Sequence, residues 1–260
     1  MSFPVSFTIP QVSADPRLAL DLARAGDALG LAGVFVFDHL VPLEDPTRPV
    51  LEGACCLGAM AATASVRVGS LVTRVTLRAP SQTAAVAAAV ATIARGRAVL
   101  GLGVGDRLSE DEALRYGMAR PSLSDRLRLL EETIELVRAA APDLPVWVGG
   151  RHPRVREVAA RRADGWNAWA AAVEDLGREA EEVRSQAGRK IVVSWGGAVM
   201  IASPPDAARP AGPGLITGSP GEVLDSLGGL RAIVDELVVS VLPNRPDAWD
   251  EFHSEILTKL

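Results

Sequence analysis

An Asp-His pair at the end of an apolar segment is the first candidate for chemistry. Asp38 and His39 directly follow the run Gly33–Phe37. A neutral imidazole can donate or accept a hydrogen bond and titrates near working pH, so His39 is a candidate catalytic residue and Asp38 a candidate binding residue. A histidine that only satisfies a backbone group at a strand end is the structural alternative, and the sequence leaves both open.

A glycine-rich segment supplies the second candidate. Gly103, Val104 and Gly105 follow another apolar run, without the G-x-G-x-x-G spacing of a dinucleotide fingerprint. Glycine has no Cβ, so the backbone here can approach a flat ring closely; the alternative is a tight turn. Asp106 comes next. Its carboxylate could act as a general acid or base if buried, cap the following helix, or pair with Arg107.

The segment Gly149-Gly150-Arg151 is the predicted phosphate site. Two glycines expose backbone N–H groups, and Arg151 can direct two donors at phosphate oxygens. Pro153 begins a predicted helix whose N-terminus favours anions. We therefore expect Gly149, Gly150 and Arg151 to bind an anionic group.

Short apolar runs that alternate with helical patterns must position these residues. The runs are close to continuous, as parallel strands covered on both faces require. Eight such units predict a closed barrel or an open doubly wound sheet. The count of eight, without a separate lobe, favours a single (β/α)8 barrel over residues 1–260. The predicted strands are Val5–Pro10, Gly33–Phe37, Arg67–Thr73, Ala98–Gly103, Val146–Gly149, Gly165–Ala168, Ile191–Ile201 and Leu237–Leu242.

A barrel would bring the candidate residues to one rim, because the C-terminal ends of its strands meet at a single mouth. The end of strand three adds four residues to that rim: Ser70, Leu71, Val72 and Thr73. The Pro/Gly-rich segment Ser203–Gly218 follows strand seven. It is predicted to be a loop on the same face, either a lid over the mouth or a solvated connection.

Composition narrows the class of protein. The chain of 260 residues is 48% hydrophobic and carries a formal net charge of -5, which argues against nucleic acid as a partner. No apolar run reaches the roughly 18 residues of a membrane span, and the first residues lack a signal peptide, so we expect a cytoplasmic protein. The two cysteines, Cys55 and Cys56, are adjacent and form neither a disulfide framework nor a metal motif.

Taken together, the segments resemble the luciferase-like monooxygenase superfamily, especially its branch that uses the deazaflavin coenzyme F420. The resemblance extends over essentially the whole chain, and it rests on the order and spacing of segments that are each weak alone. The matching segments are Gly33–Leu40, Arg67–Thr73, Gly101–Gly105, Asp125–Glu131, Pro145–Gly150, Ala163–Asn167, Ser219–Val223 and Asp235–Val239.

The resemblance implies a TIM barrel that transfers a hydride between coenzyme F420, or alternatively FMN, and a small organic substrate. It would place Asp38-His39 beside the cofactor ring and a non-proline cis peptide within Gly69–Val72, at Leu71-Val72, behind it. Gly103–Asp106 would contact the ring or tail, and Gly149–Arg151 the phosphate. Asp106 matches an acidic residue that some sugar-oxidising members use as an acid. A homodimer is also implied.

The chain departs from the family pattern before strand five, where only Ala141–Leu144 separates the preceding helix from Pro145. Such segments usually help to enclose the substrate, so a cofactor-binding barrel without catalysis is the alternative from another class. A cofactor-free barrel lyase or hydrolase would need a lysine, a metal cluster or a carboxylate pair at the rim. The two lysines do not lie at the C-terminal end of a strand, since Lys190 precedes strand seven and Lys259 is near the terminus.

Overall fold

The computed structural model describes residues 3–13, 15, 17–41, 50–106, 108–119, 121–202 and 214–260. Its strands are β1 (Val5–Thr8), β2 (Gly33–Val36), β3 (Arg67–Arg74), β4 (Ala98–Gly103), β5 (Val146–Gly149), β6 (Gly165–Trp169), β7 (Val192–Ile201), β8 (Leu215–Gly218) and β9 (Glu236–Leu242). Its helices are α1 (Arg17–Ala25), α2 (Gly53–Thr63), α3 (Pro80–Ala94), α4 (Leu108–Arg115), α5 (Leu123–Ala140), α6 (Pro153–Arg162), α7 (Val173–Ala187), α8 (Pro220–Arg231) and α9 (Pro246–Phe252), followed by a π-helical turn, His253–Leu257.

Eight parallel strands close into a barrel. Strands β1 to β6 pair in sequence order, β7 pairs with β6 and β9, and β9 returns to β1. Each of the eight predicted strands is present, with ends that differ from the prediction by no more than two residues. The closed barrel is therefore confirmed over the open sheet.

The prediction that all of Ser203–Gly218 is a loop is wrong at its C-terminal end. Leu215–Gly218 forms β8 and pairs with Ala198–Ile201 of β7. Strand β6 pairs only with the earlier part of β7, up to Gly196. The backbone groups of β7 beyond that point need partners, and β8 supplies them. Residues 203–213, the rest of the predicted lid, lie outside the described residues.

Capping side chains and prolines mark the first turns of several helices. Ser219 and Glu222 form a capping box at α8, and Pro80 is the first residue of α3. The Asp15 carboxylate accepts a hydrogen bond from the N–H of Arg17 at 2.9 Å, which satisfies one backbone donor at the start of α1.

The barrel interior contains its own apolar cluster, separate from the core between strands and helices. It is formed by Phe35, Leu71, Val99, Trp147 and Val238, one residue from each of five strands. The rings of Phe35 and Trp147 stack with centroids 5.8 Å apart. Alternation along each strand turns these side chains inward, so the barrel is filled rather than open.

A charged group closes the N-terminal end of the interior. Glu236 opens β9, accepts a hydrogen bond of 2.6 Å from Ser6 Oγ and forms an ion pair with Arg67. The Arg67 guanidinium lies over the rings of Phe35 and Trp147, 5.8 and 5.5 Å from their centroids. Burial raises the pKa of Glu236, although Arg67 and Ser6 favour its ionised form.

Candidate active site at the barrel mouth

Val72 lies at the C-terminal end of β3, against two glycines of the neighbouring strands. A Cβ at Gly149 would lie 2.5 Å from Val72 Cγ1, and one at Gly103 would overlap Val72 Cγ2. The peptide bond Leu71-Val72 is cis, as the resemblance implies. Glycine is therefore needed at Gly103 and Gly149 to accommodate the Val72 side chain.

Hydrogen bonds hold the irregular end of β3, where the pairing with β4 shifts register between Ser70 and Thr73. Ser70 Oγ donates to the Gly101 carbonyl at 2.9 Å, and Thr73 Oγ1 donates to Ser70 Oγ at 2.9 Å. Ser70 and Leu71 are buried, whereas Val72 and Thr73 are partly exposed. Of the four predicted residues, Val72 and Thr73 are thus available to a ligand.

Asp38 is buried, and its carboxylate faces arginines rather than solvent. It binds the Arg78 guanidinium through two hydrogen bonds of 2.8 and 3.0 Å and accepts the N–H of Arg74 at 3.0 Å. These contacts with Asp38 raise the pKa of Arg78, which also pairs with Glu52. The visible role of Asp38 is to join the chain after β2 to the chain after β3. Its contact with a cofactor stays a prediction.

His39 faces a carboxylate that the sequence analysis did not identify. Its Nδ1 lies 3.5 Å from Glu112 Oε2, and its side chain is 25% exposed whereas that of Glu112 is 1% exposed. Glu112 lies on α4, within the acidic stretch Glu110-Asp111-Glu112. Such a stretch is typical of a solvated helix face, so the sequence alone gives no signal that this carboxylate turns inward.

The Glu112 carboxylate also holds the backbone after His39. Its Oε1 accepts the N–H groups of Leu40 and of Val41, the latter at 2.8 Å. Its Oε2 pairs with the buried guanidinium of Arg74. Burial alone would raise the pKa of Glu112, but His39, the Val41 amide, Arg74 and the Leu40 amide outweigh it and lower the pKa. Glu112 is therefore an ionised carboxylate beneath the segment that carries His39.

Aromatic side chains form one wall of the mouth. The rings of Phe37 and Trp169 pack edge to face with centroids 5.2 Å apart. Phe37 is also 6.3 Å from the His39 ring. A Cβ at Gly196 would overlap the Trp169 ring, so this glycine makes room for the indole. The wall offers apolar surface next to His39.

Asp106 is exposed and caps α4, one of the alternatives that the sequence left open. Its Oδ1 accepts the N–H of Ser109 at 3.0 Å and the Ser109 hydroxyl at 2.9 Å. It borders a cleft of about 240 Å³ that Gly105 and Arg126 also line. Arg126 Nη1 donates to the carbonyls of Val104 and Gly105 at 3.0 and 2.9 Å. A catalytic role for Asp106 stays a prediction, and Arg107 lies outside the described residues.

The predicted phosphate site has its arginine turned toward α7. Arg151 donates to Glu179 and to Asp175, each at 2.9 Å, and these acids raise its pKa. Gly150 has a φ of +130° and donates its N–H to the Asn167 carbonyl at 3.2 Å. An anion here would meet the backbone before α6 rather than a free guanidinium. Phosphate binding by Gly149, Gly150 and Arg151 stays a prediction.

Within the described ranges, no helix combines the length and apolar character needed to cross a membrane. Among the same residues, no three His, Cys, Asp or Glu side chains are grouped so that they could hold a metal ion.

The model of the luciferase-like monooxygenase family matches residues 2–215. The chain belongs to this family. Among curated proteins it is 29% identical over 178 residues to an F420-dependent glucose-6-phosphate dehydrogenase of Nakamurella multipartita, covering 58% of this chain and 51% of that protein. It is 30% identical over 155 residues to the protein of the same name from Microbacterium testaceum, covering 58% of this chain and 44% of that protein. The chain thus spans about half the length of these relatives.

Solved structures share the fold over nearly the full chain. An F420-dependent secondary alcohol dehydrogenase, in complex with an F420-acetone adduct, superposes with a TM-score of 0.83 at 17% identity and 98% coverage of both chains. The F420-dependent tetrahydromethanopterin reductase of Methanopyrus kandleri gives 0.81 at 16% identity, with 99% of both chains covered. EDTA monooxygenase of Chelativorans sp. gives 0.80 at 13% identity, with 99% and 93% covered. At these identities the likeness establishes the fold alone.

Proposed function

We propose that this chain is an oxidoreductase that transfers a hydride between coenzyme F420 and a small organic substrate. The observation that carries the proposal is the mouth itself, where partly exposed Val72 packs on Gly103 and Gly149 and partly exposed His39 follows β2. The relatives named as F420-dependent dehydrogenases and the F420-dependent structural neighbours support the choice of cofactor.

The residues present fit a flat ring. The Val72 side chain packs on Gly103 and Gly149 and offers an apolar surface to the ring. The hydroxyl of Thr73, the next residue, offers a polar group beside that surface. Gly103, Val104 and Gly105 are proposed to contact the ring or tail, and Gly149, Gly150 and Arg151 are proposed to lie against the phosphate, next to the N-terminus of α6. Asp38, Ser70 and Leu71 are proposed to hold this binding surface in place. When bound, F420 carries or accepts the hydride.

His39 is the proposed acid-base residue for the substrate, because it is partly exposed and lies next to the aromatic wall of Phe37 and Trp169. A substrate hydroxyl loses a proton, and a carbonyl gains one, as the hydride moves; His39 would take or supply it. Asp106 is the second proposed acid-base residue. A cytoplasmic homodimer remains part of the proposal.

FMN is the alternative cofactor, since the same fold occurs in EDTA monooxygenase and in a riboflavin lyase bound to a modified FMN. Parallel titrations of the apo-protein with F420, FMN and NADPH, followed by fluorescence and thermal shift, decide between them. A ligand that binds only the folded protein raises the free energy of unfolding by about 2.7 kcal/mol at a hundredfold excess over its Kd. Selective stabilisation by F420 is expected. Selective stabilisation by FMN would show that FMN, and not F420, is the cofactor.

Turnover is tested by assaying the wild type and two histidine variants with F420 against a panel of secondary alcohols, aldehydes and ketones. His39→Asn should lower kcat by about 100-fold or more, the size of a typical general acid-base contribution, with F420 affinity retained. His253→Asn is the matched control, because His253 contacts the Leu29 carbonyl and is remote in sequence from every rim residue. F420 binding without turnover on any substrate would favour the non-catalytic barrel.

A further inference from the structure

We propose that Glu112 is a positioning residue for His39. Its carboxylate fixes the imidazole of His39 in the neutral form that carries its proton on Nδ1. The inference rests on the proposed function for its effect on turnover, whereas the form of the ring can be measured without any reaction. It assigns to α4 a part in the site that no sequence motif indicated.

The first step is the chemistry of the two facing atoms. An ionised carboxylate has only acceptors, so it can hold a neutral imidazole only through a ring N–H. Glu112 Oε2 lies 3.5 Å from His39 Nδ1. The favoured neutral ring therefore carries its proton on Nδ1 and leaves Nε2 as the acceptor. An acceptor nitrogen is what a base needs in order to take a substrate proton.

The second step is the fixed position of the carboxylate. Leu40 and Val41 both donate their N–H groups to Oε1, and Arg74 pairs with Oε2. The Tyr116 hydroxyl, from the residue after α4, donates to the Leu40 carbonyl at 3.2 Å. The backbone directly after His39 is thus hydrogen-bonded to Glu112 of α4 and to Tyr116, the residue that follows α4. Glu112 cannot turn away from the ring without losing these contacts.

The third step concerns Arg74, which connects this group to Asp38. Arg74 Nε donates to the Asp38 carbonyl at 2.9 Å while its guanidinium pairs with Glu112. The Asp38 carboxylate is neutralised by Arg78, and the Glu112 carboxylate is neutralised by Arg74 at Oε2, the oxygen that also faces His39. The positive charge of Arg74 beside the carboxylate favours its ionised form, and an ionised Glu112 is the form that selects Nδ1–H on His39.

The form of the ring is read from the ¹⁵N resonances of His39 at a pH where the ring is neutral. The sequence holds three histidines, His39, His152 and His253, so single Asn variants assign every signal. The wild-type protein should show the Nδ1–H form for His39. Glu112→Gln should shift the ring toward the Nε2–H form that free imidazole side chains prefer in water. Asp111→Asn, an exposed carboxylate next to Glu112 on α4, should leave the spectrum unchanged.

The turnover readout separates positioning from mere folding. Glu112→Gln should lower kcat by about 10- to 100-fold, part of the contribution of a general acid or base, while the Kd for F420 stays that of the wild type. A wild-type His39 in the Nε2–H form, or a Glu112→Gln spectrum identical to wild type, would overturn the proposal. The wild-type spectrum alone is decisive if the variant does not fold. If the wild-type protein fails to turn over, the proposed function falls and the ring measurement still tests the role of Glu112.

Discussion

At the scale of single residues, the mouth is built on carboxylates that are buried and paired. Asp38 and Glu112 are both buried, and each faces an arginine of β3 or of the chain after it. A buried charge is tolerated only with a partner and with hydrogen bonds to its remaining lone pairs. Each carboxylate also accepts backbone N–H groups. The ion pairs therefore fix loops that would otherwise be free.

Asp38→Asn should weaken the folded state because it leaves the half-buried Arg78 guanidinium with Glu52 alone. We expect the free energy of unfolding to fall by about 2–3 kcal/mol, below the range for fully buried pairs because Arg78 is partly exposed. Urea unfolding measures it. The control is Asp21→Asn, which removes an ion pair with Arg24 in which each side chain is 55% exposed. This substitution should lower the free energy of unfolding by less than about 1 kcal/mol. Equal losses in the two variants would contradict the pairing argument.

The stability difference between wild type and Glu112→Gln should depend on pH. The pKa of Glu112 is lowered from 4.5 in the folded state. As pH falls below that value, the Glu112 carboxyl is protonated in the unfolded chain before it is protonated in the folded protein. The wild type therefore loses the stability that its ionised Glu112 contributes, a contribution that is absent from the Gln variant. The difference should be largest above 4.5 and shrink below it. Urea unfolding over a pH series checks this, and a difference that stays constant would be incompatible with an ionised, stabilised Glu112.

The sequence predicted part of the site at this scale. His39 and Asp38 were found because they directly follow a strand, and position after a strand is visible in the sequence. Glu112 and Arg78 were missed, since their contacts with His39 and Asp38 join residues that are 73 and 40 positions apart (112 − 39 and 78 − 38). Nothing in the local pattern distinguishes an inward carboxylate from a solvated one. Arg151 was predicted to be free for a phosphate for the same reason, as its partners lie on α7.

At the scale of elements, β3, β4 and β5 fit together at the mouth because glycine occurs where Val72 projects. Gly103 ends β4 and Gly149 ends β5, and both face the same side chain. The fit is therefore steric, and it should respond to the size of both partners.

Gly149→Ala should be destabilising, since its Cβ would lie 2.5 Å from Val72 Cγ1. Overpacking of this kind costs about 1–3 kcal/mol. Val72→Ala removes both γ-methyl groups, including the Cγ1 that an alanine at 149 would meet, so the double variant Gly149→Ala/Val72→Ala should lose less than the sum of the two single losses. Thermal and urea unfolding measure the cycle.

Gly228→Ala serves as the control for the glycine substitution, because Gly228 lies on α8 with nothing within 4 Å of an added Cβ. There alanine should stabilise by about 0.5–1 kcal/mol. Additive losses in the cycle would show that Val72 does not contact Gly149 in solution.

Strand prediction succeeded where an apolar run stood out from its surroundings and failed where the run was weak and followed turn-forming residues. All eight barrel strands were predicted, because each carries a run of apolar residues. Strand β8 was missed, since Leu215–Gly218 has only two apolar residues, Leu215 and Ile216, and follows a Pro/Gly-rich segment. Its strand conformation depends on the unpaired edge of β7 beyond β6, which only the assembled sheet supplies.

At the scale of the whole molecule, the two ends of the barrel differ in character. The mouth holds glycines, Val72 and a partly exposed histidine, whereas the opposite end is closed by Arg67 and Glu236. Those two residues are 169 positions apart, and with Ser6 they join β1, β3 and β9. The group thus links the first strand to the last across the interior, and we expect closure of the barrel to depend on it.

Arg67→Met should test this closure. It leaves Glu236 buried without its cation, and burial already raises the pKa of that carboxyl. Breaking a buried pair from one side costs about 3–5 kcal/mol; since the Arg67 side chain is 31% exposed, we expect a loss near the lower limit. Glu236→Gln added to Arg67→Met should recover most of the loss. Arg24→Met, in an exposed pair, is the control.

The loss in Arg67→Met should also shrink in acid, and the sign follows from the direction of the shift. A carboxyl whose folded-state pKa is raised takes up its proton in the folded protein before the unfolded chain does, so falling pH stabilises the fold until the unfolded group is protonated as well. The unfavourable buried charge is then gone. Urea unfolding of the wild type, the single and the double variant over a pH series measures this. A loss in Arg67→Met that equals that of Arg24→Met, or that grows toward acid, would show that the barrel closes without this ion pair.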